Sequence, residues 1–177
     1  MSTDRLTLAY LNEDDRAYGL AGMAISLAAL DAIDRIAGVS LDAEGPMVSF
    51  SHEYYFSGSP SISPKSTWNN LIHNFYITSA MVVSNVMARS MVRLGTEVPD
   101  DILAAIRSEM EAEGADTCSL DADEVESLYR KTTTGMRRIF ANRRLHPAIE
   151  DFARTLSRRR TLSGMEIYDE LRALRLI

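Results

Sequence analysis

The chain has 177 residues, 46% of them hydrophobic, which suits a single domain with a packed core. A net charge of −6 argues against a general nucleic-acid binder, no apolar run of about 18 residues marks a membrane span, and "MSTDRLTL" lacks the basic-then-apolar order of a secretory leader. One cysteine, Cys118, excludes an internal disulfide and a Cys-rich zinc site, so a reducing cytoplasm is the expected compartment.

The charge is unevenly placed. Residues 1–129 carry 7 basic and 20 acidic side chains; residues 130–177 carry 12 basic and 5 acidic. Either two oppositely charged regions pack together or meet across a subunit interface, or the basic residues are solvated helix surface.

In chain order, the first predicted element is a helix from Glu13 to Ala37, with Asn12 as N-cap and Gly38 as its stop. It carries Gly19 and Gly22 in "AYGLAGMA", although glycine inside a helix costs about 1 kcal/mol relative to alanine. Next, Val48, Phe50, His52, Tyr54 and Phe56 alternate with polar neighbours, the period of a half-buried strand that Gly58, Pro60 and Pro64 end. A long helix follows over Thr67 to Leu94, stopped by Gly95, and Pro99 opens another with acids in its first turn. Three more helices are expected from "LDADEVESLYRKTTTGMRRIFANRR", from "HPAIEDFARTLSRRR" with Pro147 in its first turn, and from "SGMEIYDELRALRLI", where Ser163 and Glu166 have capping-box spacing. The fold class is therefore mainly α: about six helices in one domain spanning residues 1–177, with a small β hairpin or sheet near residues 39–57.

The candidate chemistry is sparse. The chain has no phosphate loop. His52 and Glu53 stand together, but Phe56 occupies the position where a zincin helix needs its second histidine. On an apolar strand face, His52 reads first as a hydrogen-bonded core residue. His73, near Asn70 and Asn74 on the long helix, reads as structurally buried, and His146 as part of a helix start. Arg158 to Arg160 sit where a helix C-terminus favours cations.

The C-terminal third carries the most specific pattern. Glu124, Val125, Ile139, Asn142, Arg143, Ile149, Phe152, Ala153, Leu156, Thr161, Leu162, Ser163, Gly164, Glu166 and Ile167 follow one another in an order and spacing that resemble the end of the FtsH-type ATP-dependent zinc metallopeptidase domain. That family's zinc helix reads A-Y-H-E-A-G-H-A; here the matching residues are Ala17, Tyr18, Gly19, Leu20, Ala21, Gly22, Met23 and Ala24. Gly19 and Met23 take the places of the histidine ligands, and Leu20 that of the general-base glutamate. "LAGMA" also resembles the family's later L-A-G-R-A-A-E helix, and neither alignment supplies H-E-x-x-H. The third ligand, an aspartate in the family, corresponds to Ala80 in one register and to Asn70 in another; the first also aligns Met81, Ala88, Met91 and Val92 and brings Gly95 near the family's glycine. The chain is shorter than a full peptidase domain by roughly one helix.

The resemblance implies a peptidase-like scaffold with no zinc and no catalytic residues. Such a scaffold would bind peptide segments, or assemble as a homo-oligomer or with partner subunits, as the family's peptidase domains form rings. Two alternatives stay open: a metal-dependent hydrolase with a site relocated around His52, Glu53 and His73, which would also be the substrate-binding candidates, and an unrelated α-helical regulatory or interaction protein. Zinc hydrolysis needs about three protein ligands, an open position for water and a general base, and glycine, leucine and methionine supply none of these to zinc. The substitutions predict that the purified protein takes up no tight equivalent of zinc and leaves casein uncleaved, as equilibrium dialysis and an electrophoretic digestion assay would check.

Overall fold

A computed structural model describes residues 6–55 and 64–177. Helix α1 spans Glu13–Ala29 and is capped as expected, the Asn12 side chain accepting from the Asp15 N–H at 2.8 Å. It ends well short of Ala37, because Asp31 turns the chain into the left-handed region (φ 52°), which a short polar side chain tolerates. After a 3-10 turn over Ile33–Arg35, strand β1 runs Ile36–Ser40. Gly38 thus lies in a strand, where a Cβ would come within 2.9 Å of the Leu162 carbonyl oxygen. It is a close-approach glycine of a sheet and not a helix stop.

Strand β2 is shorter than its alternation suggested. It spans Val48–Phe50, and the chain then curls into a one-turn helix, α2, over His52–Tyr55. The Ser51 N–H donates to the Arg35 carbonyl, closing the strand, and the Tyr54 N–H turns back to the Ser51 carbonyl. The curl brings the Phe50 and Tyr54 rings into a stack with centroids 4.1 Å apart, whereas four residues of extended strand would separate them by about 13 Å. Phe56, Gly58 and Pro60, expected in the strand and the loop after it, lie outside the described residues. The third strand was not anticipated: β3, Thr161–Ser163, pairs antiparallel with β1, giving the order β2-β1-β3.

Helix α3 spans Pro64–Met87 and passes into a π-helical segment over Ala88–Leu94, ended by Gly95 at φ 68°. By length and composition Trp68–Leu94 would reach across a bilayer, but 67% of its apolar window is buried within the fold, as in a core helix. Four more helices follow: α4 (Asp100–Cys118), α5 (Ala122–Phe140), α6 (His146–Arg159) and α7 (Gly164–Ala173). Capping boxes start α5 (Asp121 with Glu124) and α7 (Ser163 with Glu166). The protein is mainly α with a small three-stranded antiparallel sheet, and one contiguous cluster of buried apolar side chains joins the elements. Part of the charge asymmetry is settled within the chain: Arg160 pairs with both Asp42 and Glu13, and Arg137 lies 4.0 Å from Glu97.

The two helix glycines have a packing reason. Helix α1 lies against α3 so closely that a Cβ on Gly22 would overlap the Ser84 carbonyl oxygen and sit 2.7 Å from the Ala88 Cβ. By contrast, a Cβ on Gly135 in α5 would meet nothing within 4 Å. Gly22→Ala is expected to lower stability by about 2 kcal/mol, the overpacking penalty outweighing the helix-propensity gain. Gly135→Ala should instead raise stability by up to about 1 kcal/mol. Urea midpoints of the two variants test this directly.

Candidate functional site

The α1–α3 contact holds a buried polar centre. Arg89, in the first turn of the π-helical segment, is fully buried. Its Nη2 donates to Asp15 Oδ2 at 2.6 Å and to the carbonyls of Thr7 and Ala9 at 2.8 and 2.9 Å. Its Nη1 reaches the Leu8 carbonyl at 3.4 Å and Asn85 Oδ1 at 3.5 Å. The Tyr10 ring lies 4.8 Å from the guanidinium, and its hydroxyl accepts from Asn85 Nδ2 at 2.7 Å. A buried charge is tolerated only when paired and hydrogen-bonded, and this one is served by a carboxylate, three carbonyls and an amide.

Asp15 is equally buried and also accepts from the Leu11 N–H at 2.9 Å and from Arg93 Nη1 at 3.4 Å. Burial pushes its carboxyl pKa up. The Arg89 hydrogen bond, the Leu11 N–H and the charges of Arg89 and Arg93 outweigh that, so the carboxyl sits below the usual range.

This centre occupies the space beside Gly19. A Cβ on Gly19 would lie 2.6 Å from Asn85 Nδ2 and 2.9 Å from the Tyr10 ring. Where the resemblance puts the first histidine ligand, an amide and a phenol ring fill the volume. Leu20 is fully buried, and Met23 is half-buried. Ala80 is fully buried on α3, and Asn70 is half-buried near the start of that helix. Asn70 lies about 22 Å along the helix axis from Asn85 at a rise of 1.5 Å per residue, whereas Ala80 lies about 7 Å from it.

The histidines differ from expectation. His52, expected on the apolar face of a strand, is exposed at the start of α2, because the strand ends at Phe50. His73, expected to be buried, is exposed on α3. Glu53 falls in the α2 turn. Among the described residues, no group of three His, Cys, Asp or Glu side chains is placed to hold a metal ion. His146 does serve the start of α6, its Nε2 lying 2.7 Å from the Phe140 carbonyl oxygen.

Beside the filled centre an apolar groove of about 260 Å³ is open. Leu20 and Met23 of α1 and Met81 of α3 form its floor, and Val48 and Phe50 of β2 form its wall. These two residues share one face of the strand, and β2 is at the edge of the sheet, hydrogen-bonded to β1 alone among the described strands. Tyr54 ties α2 to α3 alongside the groove: its hydroxyl lies 2.7 Å from the Thr78 hydroxyl, and its carbonyl accepts from Asn74 Nδ2 at 2.9 Å.

The sequence reading missed Arg89, Asp15, Tyr10 and Asn85. One signal was available: Arg89 is the single charged residue between His73 and Arg93, in a stretch otherwise apolar or small and polar. Asp15 and the carbonyl partners at Thr7, Leu8 and Ala9, 74 to 82 positions away, had none.

No family model matches the chain, and neither the curated proteins nor the solved structures yield a match.

Because the Asp15 carboxyl is depressed in the folded state, its contribution is complete above the unfolded carboxyl pKa of about 3.9 and is lost as pH falls toward the folded value. Asp15→Asn is expected to be destabilised at pH 7, by about 3–5 kcal/mol for a buried arginine left without its carboxylate. The variant should also show a flatter loss of stability below about pH 4 than the parent. Urea unfolding at a series of pH values measures both.

Proposed function

We propose that this chain is a non-hydrolytic relative of FtsH-type peptidase domains that holds an extended apolar peptide segment in the groove between α1, α3 and β2. The observation that carries this reading is the groove itself, with Leu20 and Met23 in its floor and an edge strand as its wall. In the resemblance these two residues replace the general base and the second histidine ligand. A surface that would have carried charge and metal is here nearly all hydrocarbon and thioether. Such a surface gains free energy by covering an apolar side chain, and methionine adapts to side chains of different shape. An edge strand offers unpaired backbone groups to a segment laid along it. Leucine neither abstracts a proton nor activates water, so binding is the step this surface performs.

Assembly with partner subunits belongs to the same reading, because a partner's extended segment docks by the same chemistry as a free peptide. The relocated hydrolase around His52, Glu53 and His73 has less support, since both histidines are exposed on separate helices.

Fluorescein-labelled casein, an unfolded chain rich in apolar segments, is the probe. Saturable binding without cleavage, with and without added zinc, is expected. Met23→Glu should weaken it at least about tenfold, about 1.4 kcal/mol, while the circular dichroism spectrum stays unchanged. Zinc-dependent cleavage, or full affinity in the folded Met23→Glu variant, would overturn the reading.

A further inference from the structure

A second cavity adjoins the groove. It lies between α3 and α4 and has a volume of about 220 Å³. Its walls are the buried side chains Phe75, Ile106 and Met110, and Glu109 and Glu113 stand on its rim. Thr78 and Val82 of α3 line both the cavity and the groove, so a ridge one helix face wide separates them. The cavity is smaller than a site for a drug-sized molecule, typically about 300–1,000 Å³, and is closer to the size of a side chain.

The two rim carboxylates are placed against the helix's own interest. They are four residues apart on one face of α4, where like charges repel and weaken a helix. Both are exposed, and neither has an ion-pair or hydrogen-bond partner among the described residues. Glu111, between them in sequence, is paired with Arg107 at 3.0 Å. The unpaired carboxylates of this turn are thus the two that border the cavity. An apolar shaft with anionic charge at its mouth matches a lysine or arginine side chain, whose methylene stem packs on hydrocarbon while its head stays in water beside the carboxylates.

We infer that the cavity between α3 and α4 takes a lysine or arginine side chain of the same peptide segment whose apolar residue fills the groove, so that the chain selects basic-apolar segments. This rests on the groove being a peptide site. Once the head group is in place, it offsets the repulsion between Glu109 and Glu113, and the ridge at Thr78 and Val82 sets the two side chains apart.

The test is fluorescence anisotropy of the full chain with labelled decapeptides of one apolar sequence carrying Lys, Gln or Glu at a scanned position. At the best position the Lys peptide should bind at least about fivefold tighter than the Glu peptide, as expected for exposed ion pairs, and the preference should shrink with added salt. The Glu109→Gln/Glu113→Gln variant should bind all three peptides alike. A variant neutralised elsewhere on the acidic half, Asp116→Asn/Asp123→Asn, should keep the preference and so separates the cavity from the overall field. Equal binding of the three peptides by the parent chain, or a preference that survives the Glu109/Glu113 change, would overturn the inference and leave the groove standing. Failure of every peptide to bind the folded parent would overturn both.

Discussion

The buried pairing of Arg89 with Asp15 is the constraint around which the other elements are arranged. A guanidinium without exposed surface needs several acceptors, and no single element supplies those that the Arg89 Nη1 and Nη2 find, while its Nε has none among the described residues. Asp15 comes from the first turn of α1, Asn85 from α3, and three carbonyls from the segment before α1. The helix has to present Arg89 to all of these at once. It does so where the α-helix widens into a π-helical segment, the kind of local irregularity that re-aims a side chain. Gly19 and Gly22 belong to the same arrangement, because α1 must approach α3 closely enough for the carboxylate to reach.

This packing changes how the family resemblance is to be understood. A missing ligand set is compatible either with an empty metal pocket or with one rebuilt from other side chains. Around Gly19 the space is filled: Tyr10 and Asn85 occupy it and hydrogen-bond to each other. Only the neighbouring surface, over Leu20 and Met23, remains open. Gly19 lies against the buried polar centre, whereas Leu20 and the half-buried Met23 line the neighbouring apolar groove.

Much of the fold was legible because its signals are local. The Asn12 cap, the Gly95 stop, the Pro99 start and the Ser163 capping box each depend on a few neighbouring residues, and each stands where it was expected. The errors share a cause. Ile36 and Ala37 continue the apolar periodicity of α1 but belong to strand β1, which pairs with β2 on one side and, on the other, with β3 more than 120 positions later. The alternation through His52 and Tyr54 stops being a strand because Tyr54 is anchored to Thr78 and Asn74. The glycine pair was visible as an oddity, but its partners Ser84, Asn85 and Ala88 were not. Where local preference and a distant partner compete, the partner decides, and a single sequence does not name it.

The reach of Arg89 also couples distant parts of the chain energetically. Its acceptors at Thr7, Leu8, Ala9 and Asp15 are separated from it by most of the first half of the chain. Burying the π-helical segment's Arg89 without these partners is unfavourable, since a desolvated guanidinium without its carbonyls is worse than one left in water. Docking of the segment before α1, closure of the α1–α3 contact and burial of Arg89 therefore depend on one another, and they tie the beginning of the chain to its centre.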